Sequence, residues 1–175
     1  MFIGFLSMHQ WIQLSWDVCR LKKGPQDFPY SPVAFWVLLF CVFILDTVNL
    51  HLALADFQTG LILLIVAVHS LVYFGSLALL LMLLGHAKRI NQTLTCLLGS
   101  GMIISLMAVP LLLSMDPAGE QAGLPGLLLL FLNIWGLIIT AHIFRHALSV
   151  NLLLAGVLAI GYYMMSIKVV DFFLS

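Results

Sequence analysis

Five long apolar stretches constrain this chain more than any other feature of its sequence. A helix needs about 20 mainly apolar residues to cross the hydrocarbon core of a bilayer, since it rises about 1.5 Å per residue. Each stretch is long enough to do so, and polar connections separate them. The sequence therefore predicts five transmembrane helices, which run over residues 33–51, 58–84, 90–115, 126–145 and 150–170.

The composition agrees with a membrane protein and excludes an ordinary soluble domain. Hydrophobic residues make up 63% of the chain and charged residues 8%, whereas about 25% of the residues in a soluble domain are charged. The formal net charge is zero, so nothing indicates a nucleic-acid partner. We expect an all-α, polytopic integral membrane protein whose first partner is the lipid bilayer.

The first 23 residues are predicted to form an amphipathic helix at the cytoplasmic membrane surface. Polar residues interrupt the helical pattern too often for a span, and they fall opposite the apolar residues on a helical wheel. Two tryptophans and three basic residues suit the headgroup layer, where indoles and cations are both favoured. They are Trp11, Trp16, Arg20, Lys22 and Lys23. Packing of this helix against the membrane domain is an equally open alternative.

Residues 24–32 are predicted to be a linker between this helix and the membrane domain. The segment reads GPQDFPYSP and holds three of the chain's six prolines. Each proline lacks an N–H and disfavours helix at the residue before it. The chain thus divides into an N-terminal helix over 1–23, a proline-rich linker over 24–32 and a five-span membrane domain over 33–175.

The third span is rich in small and polar residues, which predicts that other spans enclose it. Helix association in lipid depends on close approach of the backbones, and Gly101, Ser105 and Ala108 share one face at i, i+4 and i+7. We expect a partner helix to pack there, and replacement of Gly101 by leucine to destabilise the protein. A proline in the same span predicts a kink. The candidate packing positions are Gly99, Gly101, Ser105, Ala108 and Pro110.

The basic residues predict the orientation of the chain. Short cytoplasmic connections carry an excess of lysine and arginine. If the N-terminus is in the cytoplasm, five spans place the C-terminus outside. Lys168 is then the only one of the lysine and arginine residues that lies outside. The basic residues that then lie inside are Arg20, Lys22, Lys23, Lys88, Arg89 and Arg145.

Four polar residues within the spans are the candidates for a functional site. Such groups are costly in a bilayer and indicate function by default. For His69, near the middle of its span, we favour a neutral imidazole hydrogen-bonded to a serine or carbonyl of an adjacent span. The four candidates are Asp46, His69, Asn133 and His142.

The sequence predicts no catalytic residue, metal or cofactor. His142 and His146 are four residues apart and share a helix face, but no third ligand lies at a matching depth. A haem between His69 and His142 would need them at equal depth, and His142 is about one turn from the inner surface. We therefore expect a protein that is not an enzyme.

Several segments together resemble the Yip (Ypt-interacting protein) membrane family, in particular its short prokaryotic members. They are a Gly24-Pro25 linker, a third span entered as AKRINQTLTCLLGSGMIISLMAVP and a fourth span with NIWGLIITAHIFRHALS. The resemblance covers residues 16–175. In eukaryotic relatives it implies binding of prenylated Rab-type GTPases and a part in vesicle trafficking. For this chain it implies a bacterial inner membrane.

Two functions from different classes follow. The first is a non-enzymatic membrane scaffold of the Yip type, which shapes the membrane or recruits partners. The second is a small oligomeric transporter or channel subunit with His69 or Asp46 in its path. Membrane-protein partners or further copies of the chain are expected in either case.

Overall fold

A computed structural model of the chain describes residues 8–54, 56–115 and 123–174. Every regular element in these ranges is helical. Short 3₁₀ turns lie at Pro25–Asp27 and Ala87–Arg89. The α-helices are α1 (Met8–Cys19), α2 (Pro32–Ala53), α3 (Thr59–Leu83), α4 (Ile90–Leu113), α5 (Gly123–Leu148) and α6 (Leu152–Leu174).

The prediction of five spans and an all-α fold is confirmed. Helices α2 to α6 are each long and apolar enough to cross a membrane, and their ends lie within three or four residues of the predicted ones. Large apolar side chains cover the outside of the bundle, including Leu71, Leu83 and Leu153. A soluble protein rarely exposes so much apolar surface. The chain is a multi-pass integral membrane protein.

The five long helices form a closed ring. Successive helices are in contact in the order α2, α3, α6, α5, α4 and back to α2, and α3 also contacts α4. Helices α2, α4 and α6 begin at one end of this five-helix ring, where α3 and α5 finish. Helix α1 lies outside the ring against α4 and α5. We call the end that carries α1 the α1 end, and the opposite one the far end.

Helix α1 packs on the membrane domain, which was one of the two alternatives left open by the sequence. Leu14, Val18 and Cys19 are buried, and the indole Nε1–H of Trp135 on α5 donates a hydrogen bond to the carbonyl of Cys19 at 3.0 Å. Trp16 stays 41% exposed, so the buried side of α1 is rotated from the predicted one. Contact of α1 with the membrane surface stays a prediction, and residues 1–7 lie outside the described ranges.

The proline-rich linker is docked on the start of α4. The Asp27 carboxylate accepts a hydrogen bond from the Gly24 N–H at 2.8 Å and closes the 3₁₀ turn. The side chain of Phe28 is buried, and its carbonyl accepts a bond from Gln92 Nε2 at 2.7 Å. Ser31 then caps α2, since its hydroxyl accepts from the Ala34 N–H at 3.2 Å. The linker is therefore part of the packed structure.

Helix α4, the third span, is enclosed over its first half, as predicted. Residues 93–100 are all buried. A Cβ at Gly99 would overlap the Ser15 hydroxyl of α1, so the predicted close approach exists at this position and α1 is the partner. The helix continues through Pro110 to Leu113.

The predicted close approach of another helix at Gly101 is wrong, whereas Ser105 on the same face does contact α2. A Cβ at Gly101 would meet no atom within 4 Å, so no helix approaches closely there. Gly101, Ser105 and Ala108 line a cavity inside the ring. Small side chains on this face leave space, whereas the sequence analysis assumed that another helix fills it.

Candidate functional site

A cavity with several polar groups on a mainly apolar wall lies inside the five-helix ring. It has two lobes, of about 310 Å³ and about 450 Å³. The two lobes are adjacent, since they share wall residues from all five helices. The shared residues are Asp46, His69, Ile104, Ser105, Leu132, Asn133 and Ser166.

The cavity occupies the half of the ring that is remote from α1. Its first lobe begins near Ser100 and Thr140, close to mid-helix, and the second continues to Ala53 and Leu112 near the far end. We call this part the cavity half and the rest, with α1 and the linker, the α1 half. The position of the cavity follows from the small residues on the inner face of α4.

Five polar residues of the cavity lie at one level. Asp46 is seven residues before the end of α2, and Ser105 and Ser166 are eight residues before the ends of α4 and α6. His69 and Asn133 are ten residues after the starts of α3 and α5. At about 1.5 Å per residue, all of them lie roughly 10–15 Å from the far end. This depth is inside the hydrocarbon core of a bilayer that the helices span.

Helices α2 and α4 are joined by polar contacts on one wall. The hydroxyl of Ser105 donates to Asp46 Oδ1 at 2.8 Å, and Asn49 Nδ2 donates to the Ser105 carbonyl at 3.0 Å. The other amide atom, Asn49 Oδ1, is buried and has no hydrogen-bond partner in the part of the chain that the structure describes. A buried acceptor without a partner costs about 1–3 kcal/mol.

Helices α3 and α6 are joined by a second polar contact at the same level. His69 Nε2 and the Ser166 hydroxyl are hydrogen-bonded, and the imidazole stacks on the ring of Tyr73 with 5.9 Å between centroids. The predicted bond between His69 and a serine of an adjacent span is confirmed. The imidazole nevertheless lines both lobes, so this bond does not remove it from the cavity.

The structure brings together three of the four predicted polar candidates. Asp46, His69 and Asn133 line the same cavity, whereas His142 lies at the α1 end, where its Nε2–H donates to the carbonyl of Lys23 at 3.0 Å. His142 also contacts the ring of His146 edge-to-face, with 4.6 Å between centroids. Among the described residues, no three His, Cys, Asp or Glu side chains are grouped as metal ligands would be.

No sequence pattern assigns Asn49, Tyr73 or Ser166 to a site, and the small-residue pattern of α4 predicts a packing role for Ser105. Serine and tyrosine are common in membrane helices, so their presence alone gives no signal. Counting residues from the predicted span ends at 51 and 170 would have placed Ser166 within one residue of the level of Asp46. That signal was in the sequence and was missed.

The α1 end carries a different set of polar contacts. Arg89 Nη1 donates to the Ser149 hydroxyl at 3.0 Å and to the carbonyls of His146 and Ala147 at 3.4 Å. These carbonyls belong to the last turn of α5, where a positive charge is favoured by the helix dipole. Lys23 forms an ion pair with Asp17 at 3.4 Å. The contacts of Arg89 connect two segments that are remote in sequence, whereas the ion pair is local.

Cysteine chemistry is suppressed where α1 meets α4. Burial raises the pKa of the Cys19 thiol to about 11, and only its backbone hydrogen bond opposes this. The thiol faces the Ser100 carbonyl at 3.9 Å. Because the thiolate is the reactive form, Cys19 is expected to be inert at neutral pH.

No protein-family model, curated protein or solved structure matches this chain. The resemblance to the Yip family stays a prediction that rests on the quoted segments. The fold and the site define a class, which is a multi-pass membrane protein with a cavity between five helices that carries polar side chains at one level.

Proposed function

We propose that this protein binds a small solute inside the five-helix ring and acts, without enzymatic chemistry, as a transporter or a transporter subunit. The observation that carries the proposal is the grouping of Asp46, His69 and Asn133 around one cavity at one membrane depth. Ionisable groups within a span are costly and mark solute or ion paths. Ligand sites in proteins commonly have volumes of about 300–1,000 Å³, the range in which this cavity falls.

The shape of the cavity supports access from one side. The space extends towards the far end, whereas the α1 half is filled by buried side chains such as Leu77, Leu81 and Phe144. A transporter exposes its site to one side at a time. The closed α1 half is what such a protein would show when its site faces the far end.

Uptake into proteoliposomes tests the proposal. The purified full chain is compared with empty liposomes, using radiolabelled choline, glycerol and lactate as a cationic, a neutral and an anionic probe. We expect uptake of at least one probe, which Gly101→Leu abolishes by filling the cavity. Gly75 is the matched control, since a Cβ there also meets nothing within 4 Å and the residue does not line the cavity.

The result that contradicts the proposal is equally specific. Uptake that equals that of empty liposomes for every probe would contradict transport. Equal effects of Gly101→Leu and Gly75→Leu on uptake would show that the cavity is not part of the transport path. Melting temperatures of both variants show whether the folded state survives the substitutions.

A scaffold of the Yip type is the second candidate, and the docking of α1 favours it. Ile12 and Trp16 remain exposed on the outer edge of α1, beside exposed Arg20 and Lys22. Exposed apolar and basic side chains in one band suit the headgroup layer of an anionic membrane. In this proposal the α1 end faces the cytoplasm of a bacterial inner membrane.

Vesicle shape tests the scaffold function. The full chain is reconstituted with and without phosphatidylserine, and electron microscopy records tubulation. The scaffold function predicts tubulation with phosphatidylserine and its loss in the Arg20→Gln, Lys22→Gln double variant. Lys168→Gln, at the far end, is the control. Vesicles that stay spherical with the unmodified protein contradict this function.

A further inference from the structure

The described wall of the cavity carries a negative side chain without a lysine or arginine to balance it. Asp46 is the only acidic residue on the described wall of either lobe, and neither lobe is lined by lysine or arginine. A carboxylate in a low-dielectric site is stable when it is paired with a positive charge or neutralised by a proton. No positive side chain of the described wall can supply the pairing, apart from a protonated His69.

The hydrogen-bonding groups of the wall point to the same conclusion. Ser105 already donates to Asp46, Asn49 Nδ2 donates to the Ser105 carbonyl, and Asn133 Nδ2 donates to the carbonyl of Leu129 in its own helix at 2.8 Å. Each of these three groups therefore already donates within the protein. The acceptors Asp46 Oδ2 and Asn133 Oδ1 make no hydrogen bond among the described residues and are left for a ligand that brings positive charge or donors.

The remaining wall is apolar and aromatic. Tyr73, Phe74 and Tyr163 line the first lobe, and aromatic faces attract organic cations. This lobe of about 310 Å³ is far larger than a bare inorganic ion, since one water molecule occupies about 30 Å³ in the liquid. An ion with an apolar body fills such a space better than a bare one.

We propose that the cavity takes a small organic ammonium ion, with the charged group at Asp46 and the apolar body against Tyr73, Phe74 and Tyr163. This inference rests on the proposed solute-binding function and names the class of solute. The acceptor-rich level holds the ammonium group, and the aromatic first lobe holds the body.

Binding of three probes of similar shape and different charge tests the inference. They are choline, its neutral analogue 3,3-dimethyl-1-butanol and the anion 3,3-dimethylbutanoate, each titrated into the full chain in nanodiscs by calorimetry. We expect choline to bind at least about tenfold more tightly than the neutral analogue, because its quaternary ammonium brings a full positive charge to Asp46 and the aromatic rings, whereas the analogue brings none. Asp46→Asn should remove the difference while keeping the acceptor for Ser105. Asp171→Asn, at the far end of α6, is the matched control.

The outcomes separate this inference from the function on which it rests. Equal binding of choline and the neutral analogue, both lost in Gly101→Leu, overturns the ammonium class and leaves solute binding standing. Tightest binding of the anion, or no measurable binding of choline, also overturns the class. Because the comparison of probes uses the unmodified protein, the test stands even where Asp46→Asn lowers the melting temperature.

Discussion

The two halves of the five-helix ring use the same helices and fill their interiors in opposite ways. In the α1 half, side chains from α4 and α5 meet α1 and the linker, and Val18, Phe28 and Phe144 are almost fully buried. In the cavity half, Gly101 and Ala108 leave room and polar groups face it. Side-chain size on the inner faces, rather than helix length or hydropathy, separates a closed interior from an open one.

Hydrogen bonds also join different parts of the chain in the two halves. At the α1 end, His142, Trp135 and Gln92 donate to carbonyls of residues 19–28, so these bonds hold the N-terminal segment on the ring. In the cavity half, bonds from Ser105 to Asp46 and between His69 and Ser166 connect neighbouring spans. Buried atoms without a partner among the described residues occur in both halves, at Asn49 Oδ1 and at the Thr93 and Thr95 hydroxyls, so the halves differ in how their interiors are filled.

The largest expected effect on stability is at Phe28, whose side chain is buried in the α1 half. Its ring contacts Trp11 with 5.9 Å between centroids and is 1% exposed. Phe28→Ala should lower the free energy of unfolding by about 3 kcal/mol, as for other buried aromatic residues. Phe40, 65% exposed on α2, is the control, and its alanine variant should stay near the unmodified value. Equal melting temperatures for the two variants would contradict a stabilising role for the linker.

The second-largest loss of stability is expected at Gly99, and it tests how closely α1 approaches α4. Gly99→Leu places a side chain where Ser15 of α1 lies, and overpacking of this kind costs about 1–3 kcal/mol. We expect a lower melting temperature and easier proteolysis after Arg20 as α1 detaches. Unchanged protection of α1 from trypsin would show that the two helices are not in contact.

A smaller effect is expected where Arg89 caps α5. Arg89→Ala removes a cation from the C-terminal turn of the helix, and such contacts contribute about 0.3–1 kcal/mol. Hydrogen exchange should quicken at the turn around Ser149 and stay unchanged around Ser166. Faster exchange at both places would show that the two halves unfold as one unit.

The smallest effect on stability is expected at Gly101. Gly101→Leu adds a side chain that enters the cavity and meets no atom at its Cβ, so the melting temperature should correspond to a change within about 0.5 kcal/mol. This outcome reverses the one predicted from sequence. A loss as large as that of Gly99→Leu would mean that the cavity is closed in the membrane.

Sequence reasoning predicted the spans and the polar candidates, because length, hydropathy and isolated charges are local properties. It also singled out α4, from its small residues, as the enclosed helix. It did not predict that Ser105 meets Asp46 or that His69 meets Ser166. The spans are apolar on all sides, so a helical wheel does not show which face turns inward. The rotation of each helix is set by its neighbours, and the role of Gly101 depended on that rotation.

Thiol accessibility along α4 tests the central claim most directly. Cys96 is native and fully buried in the α1 half, and Gly101, five residues further along the same helix, faces the cavity. In a chain with Cys19 and Cys41 replaced by alanine, Gly101→Cys is treated with a small methanethiosulfonate reagent, and mass spectrometry locates the label. The account predicts rapid labelling at position 101 and none at Cys96 until the protein is unfolded. Labelling of Cys96 as fast as that of position 101, or of neither, would contradict the division into a closed and an open half.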